Sequence, residues 1–459
     1  MSIDVAERIA RLVRAEGGRA LVVGGWVRDQ LLGIASKDVD VEVYHLPGDR
    51  LRSLLETIGP VNAVGESFTV YKVLDVDVAL PRTESKTGRG HRAFTVTGDP
   101  ELPLEEAARR RDFTINAIAW DPLTQAYLDP FDGRGDLLDR KILRAVHPAT
   151  FPEDSLRVLR GIQFAARFEL EMDPGTRALC VRIPLDDLPA ERIWGEIEKL
   201  LLQARRPSIG LSLALELRVI ERLFPELHAL VGCPQEAEWH PEGDVWIHTL
   251  MVIDEARTRM DDLERPHQVA LMLGAVCHDV GKPATTAFVD GRIRSIDHEQ
   301  AGIEPATKLL DRLNVHTMSG VDVRQQVLGM VAHHLKPLAF SKTVPPAGDG
   351  AFRRLAQKVD LELLARLALS DCLGRGGEHD CSGIGWFRTR ARELGVEHTA
   401  PEPILKGRHL LAIGVVPGPR MGEILRAVYE QQLDGGVHTV EDGLSLAREI
   451  IASPHASNP

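Results

Sequence analysis

The chain of 459 residues lacks several features that would decide its class at once. Its five cysteines (Cys180, Cys233, Cys277, Cys372 and Cys381) are an odd number with no C-x-x-C pair. That argues against a disulfide framework and against a zinc ribbon or knuckle, and predicts reduced thiols in a cytoplasmic protein. No stretch approaches the roughly 18 consecutive apolar residues of a membrane-spanning helix. Residues 1–18 form a charged amphipathic segment without the apolar core of a signal peptide, so no targeting to a membrane or an export route is expected. There is no repeat of fixed period and no long low-complexity tract. An excess of basic residues is also missing: 55 Lys+Arg stand against 67 Asp+Glu, a net charge of −12. This excludes a globally basic nucleic-acid coat but leaves room for a local RNA site.

What is present is an ordinary globular composition, 44% hydrophobic and 27% charged, enough for three or four domains of about 100–200 residues. The acidity is uneven. Residues 1–167 hold 23 basic against 25 acidic side chains, and the remainder holds 32 against 42, so an anionic substrate is expected at the first third.

Periodicity divides the chain. A helix over 3–16 is closed by Gly17-Gly18; Ala20–Val23 reads as a buried strand, Gly24-Gly25 as a tight turn and Trp26–Leu32 as a helix. Asp38–Val43 alternates acid and valine as a half-buried strand, and further strands are predicted at Phe68–Val73, Asp75–Ala79 and Ala117–Ala119. Beyond about Leu143 the strand signals fade. Helical spacing covers 153–168, 176–182, 191–204, 208–223, 246–260, 267–278, 299–313, 323–334, 352–369 and 421–432, separated by Pro/Gly punctuation such as Pro241-Glu242-Gly243. The prediction is a small α/β head followed by a long helical body.

Chemistry concentrates in a few segments. The alternation in 38–43 places Asp38, Asp40 and Glu42 on one face, about 7 Å apart, and such crowding favours open water or a cation. Paired strand aspartates suit a two-metal nucleotidyl-transfer site, whereas an edge strand charged against aggregation is the plain alternative. The preceding Gly24-Gly25-Trp26-Val27-Arg28-Asp29 lets backbone N–H groups approach a phosphate, with Arg28 one turn into the helix. Further on, Arg109-Arg110-Arg111-Asp112-Phe113-Thr114-Ile115-Asn116 leads into an apolar run. In Glu153-Asp154-Ser155-Leu156-Arg157-Val158-Leu159-Arg160, Asp154, Arg157 and Arg160 share an arc of one predicted helix, able to form salt bridges or to offer acceptor and donors to a base edge.

Together these blocks resemble the DNA polymerase β-like nucleotidyltransferases, and within them the bacterial and eukaryotic class of tRNA nucleotidyltransferases, the CCA-adding enzymes. The resemblance implies an α+β chain: a head with a mixed sheet (1–142), an elongated all-α neck with nucleotide-selecting and RNA-binding helices (143–232), an all-α HD domain (233–384) and a helical tail (385–459) that contacts tRNA or a partner. It implies that Asp38 and Asp40 bind catalytic Mg²⁺ and that Gly25, Arg28 and Arg111 contact the nucleotide. Asp154 and Arg157 would select C or A, with Arg160 nearby, and Asp77 would be a third carboxylate. Asp112 would support the head–neck geometry, as would the helix Ala190–Ile197. The basic loop Arg82–Arg92 corresponds to a family element that switches specificity from C to A, which favours full CCA addition over CC addition. Bacterial poly(A) polymerases share the first motif, but follow the acidic strand with an arginine-rich segment where this chain has Val64-Gly65-Glu66-Ser67-Phe68. The expected partners are the tRNA 3′ end, CTP and ATP.

A second constellation, His248, His278-Asp279 and Asp371, resembles the HD-domain phosphohydrolases, whose imidazole and carboxylate ligands suit Mn, Fe, Ni, Co or Zn. His298 and His333-His334 fall in intervals where HD proteins with two metals carry histidines. The expectation is a second ion or phosphate ligand at His298 and His333 or His334, and metal-dependent hydrolysis of 2′,3′-cyclic phosphates or phosphomonoesters at RNA ends.

Overall fold

The computed structural model describes residues 2–36, 38–64, 70–86 and 94–452. The chain divides into two compact units, residues 1–225 and 226–459. Among the described residues, no helix is long and apolar enough to cross a membrane.

The first unit opens with helix α1 (Ser2–Ala15), which buries Ala6, Ile9, Ala10 and Val13, the stripe expected at helical spacing. It packs on a seven-stranded sheet. In chain order the strands are β1 (Arg19–Val23), β2 (Val39–Tyr44), β3 (Val61–Val64), β4 (Val70–Val73), β5 (Val76–Ala79), β8 (Ala119–Asp121) and β9 (Ala126–Leu128). A separate hairpin joins β6 (Arg82–Lys86) to β7 (Phe94–Gly98). Helices α2 (Gly25–Leu31), α3 (Gly48–Glu56) and α4 (Leu104–Arg109) are interspersed. The sheet order is β3-β4-β5-β2-β1-β8-β9. β2 and β5 run parallel and the other neighbours antiparallel, so the sheet is mixed. Val39, Val41 and Val43 of β2 enter the core with Val22, Val27, Val76 and Val78. The parallel register sets Asp40 beside Asp77.

Five helices complete this unit among the described residues: α5 (Leu156–Phe168), α6 (Pro174–Arg182), α7 (Ala190–Gln203), α8 (Pro207–Glu216) and the short α9 (Val219–Leu223). Two predicted helices are interrupted. Residues 151–153 form a separate 3₁₀ turn, and Asp154 is extended (φ −122°, ψ 108°) before α5 begins. Pro152 sits inside that turn, and the Asp154 carboxylate accepts the Leu156 N–H. The predicted helix 208–223 breaks at Arg218, whose φ is +59°. The segment 82–92, read as a loop, supplies strand β6 as far as Lys86; its residues 87–92 lie outside the described residues, as do Gly65–Phe68.

The second unit is helical. Val245–Arg257, Arg265–Cys277, Val323–His333 and Leu361–Leu373 pack around a core that includes Val252, Leu271, Val327 and Leu364, and a short hairpin pairs Thr286–Val289 with Arg292–Ser295. Towards the C-terminus Gly407–Ala412, Pro419–Leu433 and Val440–Ala452 enclose a small core of their own, with Leu410, Ile424, Val428 and Ala447 buried.

The expectation of reduced thiols is overturned at one place. Cys372 and Cys381 form a disulfide, S–S 2.05 Å. The chain turns back after Leu373 and brings the two Cα atoms within 6.1 Å over a separation of 9 residues, a return that spacing alone did not reveal. Cys180, Cys233 and Cys277 are free and buried.

Candidate active sites

In the first unit, the turn between β1 and α2 faces the start of β2 across a cavity of about 620 Å³. Gly24 has φ 78° and ψ −142°, a conformation open only to glycine. A Cβ there would lie 3.3 Å from the Arg111 guanidinium and 3.4 Å from the Asp40 carboxylate. Asp38 and Asp40 are exposed to the cavity. The cleft walls desolvate the Asp40 carboxyl and, with the charges of Asp77, Asp38 and Glu42, raise it above its ordinary value against the pull of Arg111. Eight basic and five acidic side chains line the cavity, so locally the chain's acidic balance is reversed.

Glu42 does not join the open acidic row. It is buried, receives Arg110 at 2.7 Å, Arg111 at 2.9 Å and the Tyr44 hydroxyl at 2.9 Å. Burial works against its charge, but the two arginines and the hydroxyl hold the carboxyl below the usual range. Arg28 is buried too. Its guanidinium donates to Asp29 at 2.6 Å and to Asn116 at 2.7 Å, and lies 4.4 Å from the centre of the Phe168 ring. Asp112 accepts from Arg160 at 2.6 Å, from Asn116 and from the Phe113 N–H, which ties the RRRDFTIN segment to α5.

The predicted trio on one helical arc does not form as such. Asp154 precedes α5 and pairs with Arg192 of α7 at 3.1 Å. Arg157 donates to the carbonyls of Thr150 and Arg110, and Arg160 turns to Asp112. All three still line the cavity, joined by Arg167, Gln163 and Lys199, which motif reading missed. Asp77 sits 3.6 Å from Lys72 and is not part of the cavity wall. Oxygen-only donors on adjacent same-face positions suit a hard divalent cation such as Mg²⁺, which would favour the charged form of Asp40 against the desolvation and the acidic neighbours that raise its carboxyl.

In the second unit, His248, His278 and Asp371 form one buried group and Asp279, His298 and His334 a second. The Nε2 atoms of His248 and His278 are 3.4 Å apart, with Asp371 Oδ1 3.2 Å from His248 and Asp279 Oδ2 3.2 Å from His278. In the second group His298 Nε2 lies 3.2 Å from His334 Nε2 and 3.3 Å from Asp279 Oδ1. Asp279 therefore offers one oxygen to each group.

Hydrogen bonding fixes three of the tautomers: Nδ1 of His278, His298 and His334 donates to the carbonyls of Ala275, Ser295 and Val331. Nδ1 of His248 lies 3.0 Å from Glu242 Oε1, whose charge favours a proton there. With the proton on Nδ1, the facing Nε2 atoms present lone pairs to one another, which repel unless a cation lies between them. Asp279 Oδ2 is buried between His278 Nε2 at 3.2 Å and the Lys282 ammonium at 2.7 Å. The donor set fits a divalent metal in each group. The same demand for positive charge acts on the imidazoles: burial opposes charging His248 and His298, but Asp371 and Glu242 raise the first and Asp279 the second. His334, buried beside His278 and His298, is pushed down to about 3.

Gly281 makes the close packing possible, since a Cβ there would meet the His298 carbonyl at 2.0 Å. Of the two adjacent candidates the structure brings in His334; His333 is half-buried outside both groups. Motif reading also missed Glu242, which is held at about 2 by contacts with His248, the Gly376 N–H and His240 that outweigh its burial. It missed Lys282, 2.7 Å from Asp279, and Arg375, 3.3 Å from Asp371.

Comparison with known proteins finds family matches in both units. Residues 20–143 match the poly A polymerase head domain, 172–231 the probable RNA and SrmB-binding site of polymerase A, and 245–373 the HD domain. The multifunctional CCA protein of Xanthomonas oryzae is 36% identical over 420 residues, covering 88% of this chain and 95% of that one. The chain belongs to the multifunctional CCA protein family. It is thus an enzyme, a nucleotidyltransferase carrying an HD domain, and both kinds of domain depend on divalent metal. The family's Mannheimia succiniciproducens member is 39% identical over 305 residues, 64% of this chain and 70% of its own. The fold is shared with the Bacillus stearothermophilus CCA-adding enzyme solved in complex with CTP, at a TM-score of 0.65 and 22% identity over 99% of both chains.

Proposed function

We propose that the first unit adds C, C and A to the 3′ ends of tRNA from CTP and ATP, releasing pyrophosphate, and that the HD centre hydrolyses phosphate esters at RNA ends. The observation that carries the first activity is the Asp38/Asp40 pair opposite the Gly24-Gly25 turn in a cavity rich in arginine. The family's members bear the name CCA protein over nearly the whole length of the chain.

In this reading Asp38 and Asp40 hold Mg²⁺, with Asp77 beside them in register as a candidate third carboxylate. Bound there, Mg²⁺ lowers the pKa of the attacking 3′-hydroxyl and neutralises charge on the leaving pyrophosphate. The bare backbone at Gly25 admits the triphosphate, and Arg28 and Arg111, oriented by Asp29 and Glu42, meet its charge. Asp154 and Arg157 read the base. Arg157 has five N–H donors, two of them used on backbone carbonyls, and Arg192 steadies Asp154. Arg160 reaches the nucleotide from its anchor on Asp112.

At the HD centre, His248, His278, Asp279 and Asp371 hold one transition-metal ion, and Asp279, His298 and His334 a second. Ions of this kind generate a hydroxide nucleophile at neutral pH. The natural substrates are 2′,3′-cyclic phosphates and phosphomonoesters.

The test is incubation of the protein with tRNA lacking one, two or three terminal nucleotides, with CTP, ATP or both. Extension to CCA is expected. No extension refutes the reading, CC alone makes the protein a CC-adding enzyme, and long A tails make it a poly(A) polymerase. Asp38→Ala is expected to abolish extension and spare hydrolysis, and His278→Ala to do the reverse. Loss of both activities in either folded variant would overturn the two-site assignment.

A further inference from the structure

The histidines and aspartates form only the floor of a cavity of about 310 Å³; its walls have a different character. Trp239, Ile293 and Ile296 line it, with Trp239 45% and Ile296 58% exposed. Here the exposed apolar side chains share one concave wall beside a charged floor, the arrangement of a ligand-binding groove. The tryptophan is also held in place. Arg292, which is not part of the cavity wall, lies 5.4 Å from the centre of the indole ring and pairs with Glu238 at 2.9 Å. Glu236 accepts the Ile293 N–H at 2.9 Å, which ties the segment bearing Trp239 to the hairpin. A ring fixed in this way stacks a ligand at little cost in side-chain entropy.

The cations of the cavity divide as well. Lys282 and Arg375 are committed to Asp279 and Asp371. Arg294 is exposed, and among the described residues no carboxylate lies within ion-pair distance of it. A small phosphate ester would use the floor and Arg294 but leave Trp239 uncovered.

We propose that Trp239 is the residue by which the HD centre selects its substrate: the base of the RNA-end phosphate ester stacks on the indole while the phosphate lies over the floor, its charge met by Arg294. This rests on the hydrolytic reading of that centre. Trp239 is a specificity-determining residue here, since its action is on the part of the substrate that does not react.

The test compares adenosine 2′,3′-cyclic phosphate with glycerol 1,2-cyclic phosphate, which has no base, on Mn²⁺-loaded full-length protein. Trp239→Ala is expected to reduce the preference for the adenosine ester by roughly 5- to 100-fold, what stacking one base on an aromatic ring is worth, mainly through KM. Trp239→Phe should recover most of it, and Arg294→Ala should weaken both substrates alike. An unchanged preference in Trp239→Ala overturns the proposal. Calorimetric titration with adenosine 2′-phosphate supplies a readout apart from turnover. If the wild type hydrolyses neither ester, the hydrolytic reading fails. Base stacking on Trp239 then stands if a binding component disappears in Trp239→Ala and returns in Trp239→Phe, and falls if the three proteins bind alike.

Discussion

The bridging position of Asp279 predicts how metal content responds to single substitutions. His334→Ala removes the Nε2 atom 3.2 Å from His298, leaving that group with only His298 and Asp279 Oδ1, themselves 3.3 Å apart. A four-ligand protein zinc site binds with roughly 10–16 kcal/mol, so one ligand is worth about 3 kcal/mol, on the order of a 100-fold loss in affinity. That is enough to empty the second position during gel filtration while the first remains filled. Elemental analysis after loading with Mn²⁺ or Ni²⁺ should find one ion fewer than wild type in His334→Ala, one fewer in His248→Ala, and two fewer in Asp279→Ala. Any ion held by Asp38 and Asp40 cancels in these differences. At fixed free metal, a 100-fold weaker site withdraws about 2.7 kcal/mol of stabilisation. The melting transition of the second unit should therefore fall by roughly 5–10 °C in His334→Ala, and chelation should lower wild type further. A folded His334→Ala that retains both ions, or loses both, would refute the bridged arrangement.

Three further outcomes follow from geometry. Gly24→Ala places a methyl group between Arg111 and Asp40 in a conformation costing about 1–3 kcal/mol, so steady-state nucleotide incorporation should drop ~10-fold or more; an unimpaired rate would show that the turn does not shape the site. Burial opposes ionisation of Asp112, but Arg160, Asn116 and the Phe113 N–H outweigh it and hold the carboxyl below its ordinary 3.8. A depressed carboxylate stabilises the fold fully above its unfolded value and loses that contribution as pH falls through the lower folded value. Asp112→Asn should cost about 2–3 kcal/mol in urea unfolding at pH 7, the usual cost of breaking a buried pair discounted for the one-third exposure of Arg160, and the difference from wild type should shrink below pH 4. Reducing Cys372–Cys381, which closes a short loop, should lower the stability of the second unit by about 2–3 kcal/mol; thiol labelling of all five cysteines without reductant would contradict the bond.

Much of the site was legible because it follows local periodicity. The acid/valine alternation of 38–43 does place three valines in the core and Asp40 on the cavity side, and the Gly-Gly turn does face it. What failed depends on partners and breaks that periodicity does not carry. Glu42 belongs by period with Asp38 and Asp40, yet Arg110 and Arg111, nearly seventy residues away, remove it from the open row. Asp154 left its predicted helix because Pro152 closes a separate turn before α5. The choice between His333 and His334 could have been made: Val327, Met330, Val331 and His334 follow the i, i+3, i+4, i+7 rule, and all are buried. Glu242 was hidden inside a Pro-Glu-Gly segment that reads as punctuation until the fold brings it to His248.

The distribution of partners around the head cavity gives the net charge of −12 a more specific meaning. Of the five acids lining that cavity, Asp29 is paired with Arg28, Asp112 with Arg160 and Asp154 with Arg192. Asp38 and Asp40 alone among the five have no cation of the described residues within ion-pair distance, although eight basic side chains line the same space. A cavity that neutralises every other acid and leaves two adjacent carboxylates uncompensated, one of them raised by desolvation and by its acidic neighbours, is short of positive charge at one point. A divalent ion bound there would supply that charge, and the cavity's arginines would meet the phosphates of a triphosphate. Replacing Asp40 by Lys would provide the charge without the coordination. On this argument Asp40→Lys should keep or raise thermal stability while abolishing nucleotide incorporation, and a destabilised Asp40→Lys protein would show that the carboxylate serves the fold instead of the ion.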